Sequence, residues 1–468
     1  MAKKCIICGK PAGSAEHLFP ASFGGRRTDT GIYCAVHNKA FGRHVDVLLD
    51  ALGFINSRLG VVPDGQKEVR PSIAISHSGE LYQLANQDLV LAPPPNLSQT
   101  PELHGKLTEL PFSGQSQASK WRRRQEKARF VITQSSVSEV RTTYFTRPPR
   151  VSITLVEKPF QRAAAYIALT YLAHYHPDIA RMPGIACIKE VVANEGPLGS
   201  RVWWEALSAL SQLAPNQYEW GHTIAISLNA ESNEITAIVS FFGEFVCGVL
   251  LGRVRHLESS LTVTHIDPLA RSRPDDIKVI KQHLAGGLKH DRVAGAAYFT
   301  SLGTGQIENP FLKVKRLMDL KQDGELAATL LPQLVALSNR SFEERTASVL
   351  ELLRPHGQRF MNSLSTCVSY FVPRTDDDAV KMLLAQCIED DPNTPTGLTP
   401  VGQELLDGLI ELAAKYLDQL IHLGRLNQTN LAALLGGQDL QTLTYRYLST
   451  LRDSWLVNSQ RDRSSGTL

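Results

Sequence analysis

The sequence predicts an α+β protein: a small zinc-bound module at the N-terminus, a mixed α/β middle region and a mainly helical C-terminal region. Three observations predict it. Two pairs of soft metal ligands, Cys5-x-x-Cys8 and Cys34-x-x-His37, flank a hairpin-sized segment that leads into a helical pattern. Residues 221–267 alternate apolar and polar in the manner of strands. From residue 311 onward apolar side chains recur at helical spacing. A chain of 468 residues exceeds one ordinary domain. Changes of pattern place the divisions at 1–60, 61–155, 156–310 and 311–468.

The N-terminal module is justified by its ligands. Cys5, Cys8, Cys34 and His37 supply three sulfurs and one nitrogen, the donor set of a closed structural zinc site. A Cys-x-x-Cys knuckle turns tightly enough for both sulfurs to reach one ion, and Gly9 suits the turn that follows. The other cysteines are scattered at 187, 247, 367 and 387, so the clustering is not a matter of composition. A core this small needs a staple, and metal binding supplies folding free energy directly.

Glu16, His17 and Asn38 remain inside this frame without a zinc role. A carboxylate and an amide oxygen suit a hard divalent ion such as Mg2+ or Mn2+. A histidine that is neutral near pH 7 can take a proton from water. Taken singly, Glu16-His17 before Pro20 reads as an exposed turn and Asn38 as a helix cap. Their joint placement within the zinc frame favours a site.

In this order the residues Cys5-x-x-Cys8, Glu16-His17-x-x-Pro20, Gly24-Gly25 and Cys34-x-x-His37-Asn38 resemble the HNH endonucleases. The resemblance covers the first tenth of the chain. It implies a ββα fold braced by zinc, His17 as general base, and Glu16 and Asn38 as ligands of a catalytic Mg2+ or Mn2+. It also implies DNA as the partner, with Arg26, Arg27, Lys39 or Arg43 near the rim of one shared pocket. Two positions depart from the family pattern. The fourth zinc ligand is His37 where cysteine is usual, and the middle Asn has no counterpart, Asp29 or Thr30 standing in that region.

The remaining elements follow in chain order. Val47 to Leu59 continues the helical spacing and stops at Gly60. Ile73-Ala74-Ile75 and Leu81-Tyr82 flank His77-Ser78-Gly79, a hairpin signal. Residues 114–150 are the most basic part, with Lys120, Arg122, Arg123, Arg124, Lys127, Arg129, Arg141, Arg147 and Arg150 interleaved by Trp121 and Phe130. This pattern fits either a phosphate-tracking surface with a stacking aromatic or a solvated helix face. Residues 159–182 read as a strong helix, and His174 and His176, two apart, as surface or packing residues. Strands are expected at 223–227, 235–239 and 245–250, with a turn at Glu231-Ser232-Asn233 and another at Phe241-Phe242-Gly243. His265-Ile266-Asp267 reads as structural, and Pro274-Asp275-Asp276 lacks the acidic spacing of a nuclease motif. The stripe Leu405, Leu406, Leu409, Ile410, Ala413, Tyr416, Leu417 has period 3.6 without strict heptads, the mark of core packing in a helical domain. The tail from Gln460 reads as frayed.

Composition bounds the function classes. A net charge of +3 is too small to announce a nucleic-acid binder, so any DNA contact must come from local patches. Seven cysteines, patterned only as metal ligands, fit a reducing, cytoplasmic setting. The lysines at the N-terminus have no apolar run behind them, so no signal peptide is expected. The most apolar stretch, 236–252, is rich in β-formers and reads as buried strands, so no membrane is expected as a partner. The oligomeric state is not specified. The leading reading is a metal-dependent endonuclease acting on DNA. Its alternative is a non-catalytic zinc-dependent nucleic-acid-binding protein, and a third is a regulatory subunit whose zinc hairpin docks partners. The pairing of Glu16 with His17 separates the first from the others.

Overall fold

The computed structural model describes residues 3–86, 88–104, 106, 110–133, 143–216, 218–271, 276–280, 287–293, 310–391 and 396–465. The expected Arg141, Pro274 and Asp275 features lie outside these residues. The chain is α+β, and its described residues form two compact units. The first comprises residues 1–72, 84–88 and 151–314, and the second residues 73–83, 89–150 and 315–468.

The first unit opens with strands β1 (Glu16–His17) and β2 (Thr28–Asp29), paired antiparallel with Glu16 opposite Asp29 and His17 opposite Thr28. Helix α1 (Ala35–Leu59) follows, so the order is ββα. It ends where Gly60 adopts the left-handed conformation, as its place in the sequence predicts. The helix starts at Ala35 and runs unbroken through the expected 47–59 stretch, because no proline lies between Asn38 and Leu59, although Gly42 and Gly53 sit within it.

The body of this unit is a seven-stranded antiparallel sheet. With β7 (Val202–Glu205), β8 (His222–Leu228), β9 (Glu234–Phe241), β10 (Phe245–Arg253), β11 (Ser260–Ile266), β12 (Asp276–Ile280) and β13 (Arg292–Val293), its order is β12-β11-β8-β9-β10-β7-β13. The three expected strands are β8, β9 and β10. Asn233 and Phe242 take positive φ at the two turns joining them, and Gly243 takes positive φ beside Phe242. Helix α3 (Glu157–Tyr175) packs on β7 to β10, and α1 packs on α3. Covered from both sides, α3 is buried along nearly its whole length, beyond the single stripe its sequence shows. It stops at His176, earlier than expected, because Pro177 disfavours helical geometry in the residue before it. A short helix, α4 (Ala186–Asn194), packs on α3 and β10.

The second unit holds helix α2 (Gln115–Lys127) and the C-terminal helices, and a small sheet lies largely within it. That sheet has the order β5-β4-β3-β6, from β3 (Ser72–Ile75), β4 (Leu81–Ala85), β5 (Asp88–Leu91) and β6 (Arg150–Val151). The β3–β4 turn carries Gly79 at positive φ, as its sequence predicts. Helices α5 (Pro310–Val335), α6 (Phe342–Leu353), α7 (Gly357–Phe371), α8 (Asp378–Gln386), α9 (Pro400–His422), α10 (Gln428–Gly436) and α11 (Gln438–Ser465) share one apolar core. The α9 stripe, from Leu405 to Ile421, points into that core as expected, although Tyr416 is exposed. The buried pair Arg345–Asp418 ties α6 to α9. Helix α11 continues to Ser465, past the expected fraying point. No helix among the described residues is long and apolar enough to cross a membrane, and the apolar stretch 236–252 forms β9 and β10.

Candidate active site and metal centre

The four expected soft ligands converge. One donor atom from each of Cys5, Cys8, Cys34 and His37 lies within 4.8 Å of the others, close enough to bind one metal ion. Local geometry explains the convergence. The Cys5 N–H donates to the Lys10 carbonyl at 2.8 Å and the Gly9 N–H to the Cys5 carbonyl at 3.0 Å, closing the knuckle. Gly9 takes positive φ there, at 73°. Cys34 is the N-cap residue of α1, which sets His37 in the first turn with its Nδ1 3.3 Å from the Cys34 sulfur. The His37 backbone N–H leads the interactions that lower the Cys34 thiol to about 6, so the thiolate required of a ligand is present near neutral pH. Three sulfurs and one imidazole in this closed arrangement fit a tetrahedral ion of the zinc type.

Glu16 and His17, adjacent on β1, face opposite ways, as neighbours on a strand do. Glu16 turns inward and is 5% exposed. Its carboxyl accepts the Tyr166 hydroxyl, from the middle of α3. Burial pushes the Glu16 carboxyl up to about 7, against the Tyr166 hydrogen bond, which lowers it. His17 turns outward. Its Nε2 lies 3.0 Å from Oδ2 of Asp64, and the two side chains are 32% and 38% exposed. Asp64 also accepts Arg26 Nη1 at 3.2 Å.

Asn38 lies close to β1. Its Nδ2 donates to the Ser14 hydroxyl at 2.6 Å and to the Ala15 carbonyl at 3.1 Å, so the first turn of α1 is fastened to the residues that lead into Glu16. The three residues that the resemblance assigns to one pocket therefore have three separate sets of partners. As folded, an ion shared by Glu16 and Asn38 does not fit: the carboxyl is enclosed and already holds a hydroxyl.

The expected basic rim divides. Arg26 is 12% exposed and fully engaged, with Nη2 on the Val62 carbonyl, Nε on the Ala270 carbonyl and Nη1 on Asp64. Arg43 reaches Glu195 and the Val192 and Ala193 carbonyls at the end of α4. Lys39 is exposed and Arg27 half-buried. In the second unit Arg122, Arg123 and Arg124 are exposed on α2, and Arg122 pairs with Glu126 at 2.8 Å. Trp121 is not available for stacking on a base. It is buried against Phe112, and its Nε1–H donates to the Pro94 carbonyl at 2.9 Å, because an apolar ring on a one-turn arginine run takes the opposite face of the helix.

The glycine pair has a steric cause. Gly24 takes φ 84° and its α-carbon abuts the Pro268 backbone, while a Cβ on Gly25 would meet the Phe19 carbonyl oxygen at 1.9 Å. This close approach seats Phe19 and Phe23 against His222 and Phe241 of the sheet.

Sequence reasoning missed Tyr166 and Asp64, and read His174 only as a surface or packing residue. His174 Nδ1 lies 2.7 Å from Oδ2 of Asp29, across from Glu16. No spacing rule could have found these partners, which are up to 150 residues from the groups they hold. His265, by contrast, meets the Thr223 hydroxyl at 3.1 Å within the sheet, consistent with a structural role. No family model matches the chain, and neither a curated protein nor a solved structure does.

Proposed function

We propose that this protein is an endonuclease that hydrolyses DNA phosphodiester bonds, and that Cys5, Cys8, Cys34 and His37 hold a structural Zn2+. The observation that carries the reading is the placement of His17: on the outer face of β1, in a ββα unit whose helix begins at the Cys/His cluster and is fastened by Asn38 to Ala15, the residue before β1. His17 takes a proton from the attacking water as that oxygen bonds to phosphorus; the phosphorus–oxygen bond to the leaving oxygen breaks, and the leaving oxygen takes a proton from solvent. Arg27, Lys39 and the arginines of α2 offer phosphate contacts.

The test is nicking of supercoiled plasmid by purified protein, with Mg2+ or Mn2+ added because the HNH resemblance implies a divalent ion. His17→Ala is expected to lower the rate by about 10²-fold or more while retaining zinc and DNA binding. Asn38→Ala, which unfastens α1 from Ala15, is expected to lower it as well. Equal nicking by wild type and His17→Ala overturns the reading. The enclosure of Glu16 favours a second reading, a non-catalytic zinc-dependent nucleic-acid-binding protein. DNA binding without nicking under any metal would select it.

A further inference from the structure

We infer that Asp64, outside the N-terminal motif, is the positioning residue of His17: it holds the Nε2 side of the imidazole and leaves Nδ1 to receive the proton from water. The inference rests on the endonuclease reading and adds a residue that the HNH resemblance does not supply.

Four observations carry it. The His17 Nε2 to Asp64 Oδ2 distance is 3.0 Å, a hydrogen bond across 47 residues of chain. The second oxygen of Asp64 is held by Arg26 Nη1 at 3.2 Å, and Arg26 is itself anchored on the Val62 and Ala270 carbonyls. The backbone also fixes Asp64, whose N–H donates to the Ala21 carbonyl at 3.3 Å, just after β1. Nearby, Asn56 Nδ2 donates to the Ser22 carbonyl at 3.0 Å, so the end of α1 is bound to the same short turn. Among the described residues Nδ1 of His17 meets no hydrogen-bond partner.

An exposed ion pair between two mobile side chains contributes little and specifies no geometry. This arrangement differs in its third member. Arg26 is mostly buried and makes three fixed bonds, so Asp64 is presented at one angle with one oxygen aimed at His17. A carboxylate on one imidazole nitrogen fixes the ring and its tautomer and stabilises the imidazolium formed when the other nitrogen takes a proton. The Asp64 carboxyl is held below the ordinary range, first by the His17 hydrogen bond and then, against some burial, by Arg26.

The experiment is a double-mutant cycle on plasmid nicking with the full chain. Asp64→Ala is expected to lower kcat about tenfold to a hundredfold, as loss of the partners that orient metal-binding histidines does, with KM for DNA unchanged. Asp64→Asn, which keeps an oxygen for Nε2–H and another polar group near Arg26, should recover part of the loss. In the His17→Ala background, Asp64→Ala should cost nothing further, because the residue it positions is gone. A loss that adds in full to that of His17→Ala, or a fall in melting temperature and metal content that Asp64→Asn shares, assigns Asp64 a merely structural role and overturns the inference. A separate readout stands apart from activity: a downfield imidazole N–H proton signal, abolished by His17→Gln and by Asp64→Ala, is expected in the wild type. Its absence from wild type shows that Asp64 does not hold the ring. If the signal behaves as expected but His17→Ala nicks DNA normally, the endonuclease reading fails and takes the positioning role with it.

Discussion

The N-terminal ββα segment and helix α2 were both expected to face DNA, and they meet that expectation in different ways. In the first, ligands 26 to 32 residues apart come within hydrogen-bonding range of one another. In the second, the run Lys120 to Arg124 yields exposed cations, but the aromatic residue within it is turned into the protein. The difference lies in what each pattern constrains. Ligand types at metal spacing demand that specified atoms meet at one point, so the spacing carries three-dimensional information. A charge run demands only solvent for the charges, and leaves the intervening tryptophan to follow the apolar face of its helix.

The comparison is broken most severely at the Cys/His cluster. Structural zinc contributes about 10–16 kcal/mol to small domains, so a chelator, or Cys8→Ser, should open residues 5–37 to proteolysis. Most of the helical circular dichroism should survive, since the helices from 327 onward have their own core. Metal analysis of protein purified without chelator should return zinc, and its absence would end the structural-zinc assignment. Next in size is Trp121→Ala. Loss of a buried indole with a hydrogen bond should cost about 3–5 kcal/mol, measured as the denaturation midpoint of the second unit. A change below 0.5 kcal/mol, the range of exposed positions, would restore Trp121 as a surface aromatic.

A third prediction concerns pH and is drawn from the first region. His44, on α1, is buried with Nε2 3.0 Å from the Val192 carbonyl, and burial pushes it down to about 4. The folded-state value lies below the unfolded one, near 6.5. The unfolded chain therefore takes up a proton that the folded chain refuses. Stability is complete above about 6.5 and is lost as pH falls toward 4, by about 3 kcal/mol. Glu16, held up at about 7, contributes in the opposite sense and His222, pushed down to about 3, in the same sense. The check is therefore the difference between wild type and His44→Gln, which should shift in favour of wild type as pH rises from about 4 to about 6.5. The smallest effect on stability is expected from Arg122, Arg123 and Arg124 replaced together by alanine. Each should change folding by less than about 0.5 kcal/mol. The slope of log affinity for DNA against log salt should nevertheless fall, by up to about three. An unchanged slope would make the run a solvated face.

Legibility in the sequence tracks the distance over which a constraint acts. The knuckle, the Gly60 stop, strands β8 to β10 and the α9 stripe were all readable, because turn chemistry and hydrophobic period operate within a few residues. The Cys/His donor set was readable for the same reason, through two local pairs. What stands around Glu16 and His17 was not. The sequence places the two side by side, but their opposite orientations matter only through Tyr166 on one side and Asp64 on the other. Arg26 illustrates the limit well: as a charge in a short basic pair it reads as a phosphate contact, whereas its three acceptors come from residues 62, 64 and 270.

The hold of α3 on the N-terminal unit bears on how such a unit can move between proteins. Tyr166 meets Glu16, stacks on His44 and touches Phe41, while Thr170 one turn later meets the Tyr33 hydroxyl at 3.0 Å. The Cys/His cluster lies on one side of the unit, and α3 forms its floor. A segment excised at Gly60 would keep every ligand and lose that floor, leaving a carboxyl and a layer of aromatic rings facing water. Duplication or grafting of the first sixty residues alone would thus transfer a motif but not a stable domain. A recipient would have to supply a tyrosine-bearing helix of its own, or the inner face of the graft would have to be redesigned.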